Sequence, residues 1–298
     1  MRRGGQPWQC SLVEVHEHID GFRASLDEHR AAGTVVGFVP TMGYLHAGHG
    51  SLISRAASDC GAVAVSIFVN PLQFAANEDL ASYPRDLESD LALCERMGAT
   101  HVLVPSVDEM YPQPVLTTVS VAEVSMRMEG AVRPTHFAGV ATVVAKLFSI
   151  VGPCRAYFGE KDFQQLAVVR RMAADLSMPV EVVGCATVRE PDGLAMSSRN
   201  VYLDATERQV ALVLHRALDA GVAAVSAGAT EAGSVRAAMD EVFATEPSAT
   251  VDYAEVVDAA TLAPLGALVP GTEIRLIVAA RVGAPRLLDN AGAVVPTR

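Results

Sequence analysis

Short apolar segments alternate with amphipathic segments along the first two thirds of the chain. Runs rich in β-branched residues are typical of buried strands, and apolar positions three or four apart are typical of helices. Strands that alternate with helices predict an α/β chain built on a doubly wound parallel sheet. We expect strands at 34–39, 62–69, 100–104, 115–121, 155–158 and 180–188, and helices at 12–29, 86–97, 139–151 and 162–176.

The pattern changes after residue 187, where we place a domain boundary. A turn at 190–193 is followed by two Ala-rich helical stretches and then by two apolar runs that predict strands. The sequence therefore predicts a Rossmann-like domain over residues 1–187 and a smaller α+β domain over residues 188–298 that covers the active site. The helical stretches are 205–227 and 229–244, and the strands are 251–257 and 273–282.

The first predicted strand leads into a glycine-bearing turn and then into a helix. His46 and His49 are three residues apart, so they lie on one face of the opening helical turn. A helix start offers free N–H groups and a positive dipole end, which suit phosphate, and Gly43 and Gly48 allow a close backbone approach. A tight turn with two surface histidines explains the same residues, and no third zinc ligand is evident nearby.

Three other polar clusters fall at predicted strand ends or in the following loops, where open α/β sheets bind ligands. Only Lys146 and Lys161 are lysines, against 21 arginines, so Lys161 at a strand-to-helix turn suggests a phosphate contact rather than a solvated helix-start charge. Residues 196–199 combine two hydroxyls and a guanidinium, or simply cap a helix. Asn70 and Gln73 supply uncharged amides, which also occur in ordinary loops.

Composition limits the possible partners and compartments. The chain has 298 residues and a net charge of −11, which argues against a broad nucleic-acid surface. No apolar signal region follows the N-terminus, and the most apolar stretch, 137–151, contains Lys146 and is too short to span a membrane. The five cysteines are scattered without a C-x-x-C pair, which favours reduced thiols and a cytoplasmic location. They are Cys10, Cys60, Cys94, Cys154 and Cys185.

Six stretches, taken together and in order, resemble the pantoate–β-alanine ligase family. They span roughly residues 34–203, and the C-terminal third matches weakly, mainly at 251–253 and 280–281. Two departures stand out: Tyr44 occupies the place of a usually small residue, where it is expected to narrow the adenine side of the site, and Gly50 replaces a larger one. The six stretches are 40–49, 68–74, 83–86, 133–140, 158–165 and 196–200.

The resemblance implies an ATP site with His49 as proton donor or charge-stabilising group, and with His46 and Lys161 as further catalytic residues. Together with Arg199, these residues are expected to act as positive, preorganised donors to the phosphates. No covalent enzyme nucleophile is implied. The implied ATP-binding residues are Met42, Gly43, Tyr44, Leu45, His46, Ala47, Gly48, His49, Gly159, Glu160, Lys161, Asp162, Val188, Met196, Ser197, Ser198 and Arg199.

The resemblance also implies the acid-binding side of the site. Gln73 and Gln165 are expected to hold pantoate, with Asn70 beside them, and Gln73 also faces β-alanine. Asp90 becomes a candidate magnesium contact, and residues 74–83 a candidate lid that excludes water. A homodimer built through the N-terminal domain is implied as well, with no nucleic-acid or membrane partner.

The implied reaction is the ATP-dependent condensation of pantoate with β-alanine, with Mg²⁺, through a pantoyl adenylate that releases pyrophosphate and then AMP. Three alternatives remain open from the residues alone. One is a nucleotidyltransferase that acts on a phosphate acceptor, since the histidine turn is shared by a wider superfamily. A tRNA-charging enzyme is disfavoured by the acidic charge. A non-catalytic nucleotide-binding module is disfavoured by the combination of two histidines, a lysine and an arginine.

Overall fold

The computed structural model of the chain describes residues 13–74, 80 and 83–297. Six strands form one sheet in the order β1-β4-β3-β2-β5-β6, and every neighbouring pair is parallel. These strands are β1 (Glu14–His16), β2 (Val36–Thr41), β3 (Ala62–Ile67), β4 (His101–Leu103), β5 (Cys154–Gly159) and β6 (Val180–Cys185). The helices between them are α1 (Ile19–Ala31), α2 (Ala47–Asp59), α3 (Leu87–Met97), α4 (Val107–Met110), α5 (Glu129–Val132), α6 (His136–Val151) and α7 (Phe163–Asp175).

Both faces of this sheet are buried, because neighbouring residues of the strands point to opposite sides. Phe38 packs in a core with α1, α6 and α7, whereas the next residue, Val39, packs in a second core with α2 and α3. On β5, Phe158 lies in the first of these cores and Tyr157 in the second. The α/β class and the doubly wound parallel sheet predicted from the sequence are therefore confirmed.

The C-terminal part forms a smaller α+β unit around its own core. Three strands form an antiparallel sheet in the order β7-β8-β9. The predicted division at 187/188 falls between the end of β6 and the first of these helices, and it stays a prediction. The elements are α8 (Ala205–Ala211), α9 (Val213–Ser226), α10 (Ala232–Phe243), β7 (Ala249–Asp258), β8 (Glu273–Val282) and β9 (Arg286–Val294).

Three local predictions were wrong. The expected helix over 12–29 begins only at Ile19, because the residues before it pair with β4 as a three-residue edge strand. Residues 115–121 form no strand, and Leu116 is 94% exposed. β9 was missed since Asp289 and Asn290 are buried polar residues that interrupt its apolar pattern.

Two compositional expectations can be compared with the structure. Within residues 13–297, apart from the undescribed segments 75–79 and 81–82, no helix is long and apolar enough to cross a membrane. Cys60, Cys94, Cys154 and Cys185 are free thiols, whereas Cys10 lies outside the described residues. Burial raises the pKa of Cys94 and of Cys154 to about 12, so these two thiols remain protonated and act as small apolar side chains.

Candidate active site

A cavity of about 280 Å³ lies at the carboxyl ends of the central strands, between the parallel sheet and the C-terminal unit. Doubly wound sheets bind ligands at this edge. The structure brings all four predicted polar clusters to its wall, together with residues of β9. The predicted site residues that line it are Met42, His46, Gly48, His49, Asn70, Gln73, Gly159, Lys161, Asp162, Gln165, Val188, Met196, Ser197, Ser198 and Arg199.

The carboxylate of Asp90 fixes the turn between β2 and α2 through two hydrogen bonds. The carboxylate of Asp90 accepts the Tyr44 amide at 2.9 Å and the Leu45 amide at 2.6 Å. These charge-assisted bonds fix a turn in which Gly43 and Tyr44 both have positive φ, a conformation that costs a non-glycine residue energy. Gly43, Tyr44, Leu45 and Ala47 lie off the cavity wall, so the structure gives Tyr44 no part in narrowing the cavity.

The two histidines of the turn are locked by backbone amides. The Gly48 amide donates to Nδ1 of His46 at 3.1 Å, and the His46 amide donates to Nδ1 of His49 at 3.3 Å. Because each Nδ1 accepts, each neutral ring carries its proton on Nε2 and presents an N–H donor there. The ring centroids are 4.2 Å apart.

Both rings have a pKa below the ordinary value of histidine. Burial, reinforced by Lys161, lowers the pKa of His46 to about 4. Burial and the neighbouring His46 lower the pKa of His49 to about 3. The lowered pKa values favour neutral rings that donate hydrogen bonds at the N-terminus of α2. The expectation that both histidines act as positive donors to the phosphates stays a prediction.

Lys161 stands on a single 3₁₀ turn, Glu160–Asp162, between β5 and α7. Its Nζ donates to Asp162 Oδ1 at 3.1 Å. Loss of hydration opposes the charge on Asp162, but Lys161, Arg199 and His136 outweigh it and hold the pKa of Asp162 below its usual range. The cavity wall thus carries an adjacent positive and negative charge, and the Lys161 side chain is only 20% exposed.

The C-terminal unit fixes this turn from the opposite side. Nδ2 of Asn290 donates to the carbonyls of Glu160 at 2.9 Å and of Lys161 at 2.7 Å. Arg275 pairs with the Glu160 carboxylate at 3.1 Å, so Glu160 points to this ion pair and lies off the cavity wall. Through these contacts, the position of Lys161 depends on Arg275 of β8 and Asn290 of β9.

The loop that carries Ser197, Ser198 and Arg199 is built on backbone hydrogen bonds. Ser197 caps the 3₁₀ helix Ser198–Tyr202 by accepting the Arg199 amide at 3.2 Å. The Met196 amide donates to the Val188 carbonyl at 3.0 Å and ties the loop to the preceding segment. The seryl and arginyl residues are therefore presented to the cavity by a short, ordered turn.

Asn70 and Gln73 form the opposite wall. Nδ2 of Asn70 donates to Gln73 Oε1 at 3.2 Å, and Oδ1 of Asn70 accepts from the Tyr111 hydroxyl at 2.9 Å. Asn70 is therefore engaged on both sides of its amide and acts as a support for Gln73. The Gln165 side chain makes no hydrogen bond to any residue that the structure describes, so its side-chain amide is available for a ligand.

Further residues of the wall had no role assigned from the sequence. His136 Nδ1 lies 3.0 Å and Arg133 Nη2 3.3 Å from the Gln73 carbonyl, which fixes the backbone of Gln73. Glu129, which is buried, forms an ion pair with Arg286 of β9. Arg133 and His136 occur in a stretch that carries the family resemblance, but no sequence signal marks Arg286.

The model of the family described as pantoate–beta-alanine ligase matches residues 14–292. The chain belongs to this family. The ligase is 52% identical to a pantothenate synthetase of Sinorhizobium medicae over 268 residues, which cover 90% of this chain and 92% of that one. The enzymatic activity expected from the motifs, ligation of pantoate with β-alanine, is thereby confirmed.

Two solved structures are similar to the ligase over nearly its whole length. The pantothenate synthetase of Thermus thermophilus has a TM-score of 0.89 at 48% identity and covers 96% of this chain and 100% of its own. A pantoate–β-alanine ligase of Francisella tularensis, complexed with beta-gamma ATP and β-alanine, has a TM-score of 0.77 at 30% identity. It covers 94% of this chain and 97% of its own, so the fold of the ligase is the fold of the family.

Proposed function

We propose that the ligase uses ATP to activate pantoate as a pantoyl adenylate. A carboxylate oxygen of pantoate attacks the α-phosphorus of ATP, a new O–P bond forms, and the P–O bond to pyrophosphate breaks. The amine of β-alanine then attacks the acyl carbon, the C–O bond breaks, and AMP leaves with the electron pair while the amine loses a proton. The ATP-bound relative from Francisella tularensis supports ATP as the co-substrate.

The main support is the set of donors that converge on one cavity. Its members are the Nε2–H groups of His46 and His49 at the N-terminus of α2 and the charges of Lys161 and Arg199, which line the same cavity. Donors that are fixed before the reaction stabilise the charge that develops on the phosphates without a cost of reorganisation. We assign His49 and His46 to the transferring phosphate and Lys161 to the phosphate oxygens.

On the acid-binding side, Gln165 and Gln73 hold pantoate in our proposal. The Gln165 amide has no competing partner among the described residues, and the Gln73 backbone is fixed by Arg133 and His136. A fixed nucleophile that is held near the reacting phosphorus raises the effective concentration of the reactants. Asn70 serves as a positioning residue for Gln73.

An adenylate hydrolyses easily, so we propose that water is excluded when the substrates are bound. Phe74 and Tyr83 lie on the cavity wall with their ring centroids 6.0 Å apart. Most of the predicted lid, residues 75–79 and 81–82, lies outside the described residues. Its role as a lid stays a prediction.

Mg²⁺ enters the proposal as part of the substrate MgATP, because Mg²⁺ binds mainly through phosphates and keeps several waters. Asp90 does not fit as its protein ligand. Both carboxylate oxygens accept backbone amides beneath the turn, and Asp90 is off the cavity wall. The magnesium contact suggested for Asp90 stays a prediction without geometric support.

We also propose a homodimer that forms through the N-terminal domain. Several large apolar side chains of this domain are exposed between residues 107 and 132, and burial of such side chains favours association. The cytoplasmic location expected from the sequence is a separate prediction and stays one. The unmodified chain should sediment as a particle of twice 31.4 kDa. Leu116→Asp should weaken the dimer and lower this apparent mass. A monomer at micromolar concentration would contradict this proposal. The exposed side chains are Val107, Val115, Leu116, Met126 and Val132.

Product analysis tests the proposed activity. With ATP, pantoate and β-alanine, the ligase should form AMP and amide in equal amounts. Formation of ADP would mean an acyl phosphate instead of an adenylate. A nucleotidyltransferase acting on a phosphate would be indifferent to pantoate, and a binding module would consume no ATP.

A further inference from the structure

We propose that Glu14, His16 and His101 form a structural site for a divalent transition-metal ion, with zinc as the preferred occupant. The site is at the outer edge of the parallel sheet, and none of the three residues lines the active-site cavity. It is separate from the ligation chemistry. Its function would be to fasten the short edge strand β1 to β4.

The strand register places the three side chains together. Glu14 and His16 are two residues apart on β1, so their side chains point to the same face of the sheet. His101 is the register partner of Glu14 in the parallel β1–β4 pair. One potential ligand atom from each residue lies within 4.8 Å of the others.

The distances are close to those of a tetrahedral zinc site. Zn–N and Zn–O bonds of about 2.0–2.1 Å place neighbouring ligand atoms about 3.3 Å apart in a tetrahedron. His101 Nε2 lies 3.3 Å from Glu14 Oε2, and His16 Nε2 lies 3.7 Å from Glu14 Oε1. One ligand atom from each of the three residues lies within 4.8 Å of the others, so a shift of the His16 ring toward the other two would complete three ligands. A water molecule would fill the fourth position.

A buried ring nitrogen of His16 indicates independently that the cluster can hold an ion. The His16 side chain is only 10% exposed, and its Nε2 atom is buried without a hydrogen-bond partner among the described residues. A buried polar atom without a partner is costly, and native structures rarely leave one. Since this atom is the one that faces Glu14, an ion at the centre of the three residues would satisfy it.

The surroundings of His101 orient it as a ligand. Thr100 donates its hydroxyl proton to the Val63 carbonyl at 3.0 Å, so its oxygen accepts from Nδ1–H of His101 at 2.8 Å. This arrangement leaves the lone pair of Nε2 directed to the Glu14 carboxylate. Ligating histidines typically donate their second N–H to a fixed acceptor in the same way.

The ligand set favours zinc over magnesium or calcium. Two imidazoles and one carboxylate suit Zn²⁺, Co²⁺ or Ni²⁺, whereas hard cations prefer oxygen ligands alone. The edge strand has only three residues and pairs on one side, so its own backbone hydrogen bonds hold it weakly. A bound ion would add a cross-link from β1 to β4.

Metal titration of the full-length ligase, after treatment with a chelator and without nucleotide, tests the proposal. Isothermal titration with ZnCl₂ should give one equivalent per chain, and CoCl₂ should give the visible absorption of tetrahedral Co²⁺. His16→Ala and Glu14→Gln should each weaken Zn²⁺ binding by at least about 10²-fold, because loss of a ligand should cost no less than loss of an outer partner.

His18→Ala is the matched control. His18 is two residues from His16, but its side chain is 80% exposed and pairs with Glu109 instead. This variant should bind Zn²⁺ like the unmodified chain. The proposal is overturned if the unmodified chain binds no stoichiometric Zn²⁺, if both ligand variants retain binding while remaining folded by circular dichroism, or if His18→Ala loses binding equally.

Discussion

Gly139→Ala should impair the ligase although Gly139 contacts no substrate in our proposal. Gly139 lies on α6 where the helix meets the 3₁₀ turn Pro71–Gln73. A β-carbon added there would lie 2.2 Å from the Leu72 carbonyl oxygen and 2.6 Å from the Gln73 α-carbon. These are backbone atoms, so no side-chain rotation relieves the clash.

The size of the displacement follows from the same distances. A close carbon–oxygen contact needs roughly 3.3 Å, so the turn and the helix must separate by about 1 Å. A misplacement of this size in a positioning element lowers rates by about 10²-fold. Overpacking should also cost about 1–3 kcal/mol of stability. The expected result is a fall of about 10²-fold in kcat/KM for pantoate in a protein that still binds ATP.

Steady-state kinetics with varied pantoate and, separately, varied ATP measures this effect. Gly233→Ala is the matched control, because Gly233 is also helical and an added β-carbon meets no atom within 4 Å. It should leave kinetics unchanged and keep or slightly raise stability. A folded Gly139→Ala variant with normal kcat/KM for pantoate would refute the positioning of Gln73 by this contact.

Three further outcomes are expected. His49→Ala should lower the adenylation rate by about 10²-fold or more, as loss of one preorganised donor does, and near-normal turnover of a folded variant would contradict its assignment. Lys161→Ala should weaken ATP use without loss of fold. Lys146→Ala removes a cation–π contact with Tyr111 at 5.5 Å and should affect stability alone. If the two variants had the same kinetic constants, the phosphate role of Lys161 would be refuted. The pKa of His46 is about 4 in the folded chain, against an ordinary value of 6.5, so the unfolded chain binds more protons between these two pH values. The free energy of unfolding should therefore fall as the pH drops from about 6.5 to about 4. His46→Gln should flatten that part of the profile of urea midpoint against pH, and an unchanged slope would count against the neutral ring.

Much of the fold was predictable because the central strands are short, buried on both faces and rich in β-branched residues. The positions at the carboxyl ends of those strands followed from the doubly wound topology. β1 was not predictable, since three residues carry too little pattern, and its pairing with β4 is a long-range contact. β9 was hidden by Asp289 and Asn290, whose burial depends on partners from other elements such as Arg189 and Arg275.

In the candidate site too, some features follow from local sequence and others depend on the folded chain. The sequence placed His46 and His49 on one face of a helix start, because that depends only on local spacing. Their lowered pKa values were not predictable, since they depend on burial in the folded chain and on neighbours such as Lys161, which lies far away in the sequence. The support of the turn by Asp90 links residues more than forty positions apart, and only the fold brings them together.

Isotope exchange tests the adenylate mechanism most directly. With pantoate and Mg²⁺ present and β-alanine absent, the ligase should exchange labelled pyrophosphate into ATP, because the first half-reaction is reversible while the adenylate remains bound. Gln165→Ala should depress this exchange, since its amide is proposed to hold pantoate during the attack. Exchange that requires β-alanine would indicate a concerted route and would contradict a pantoyl adenylate formed first.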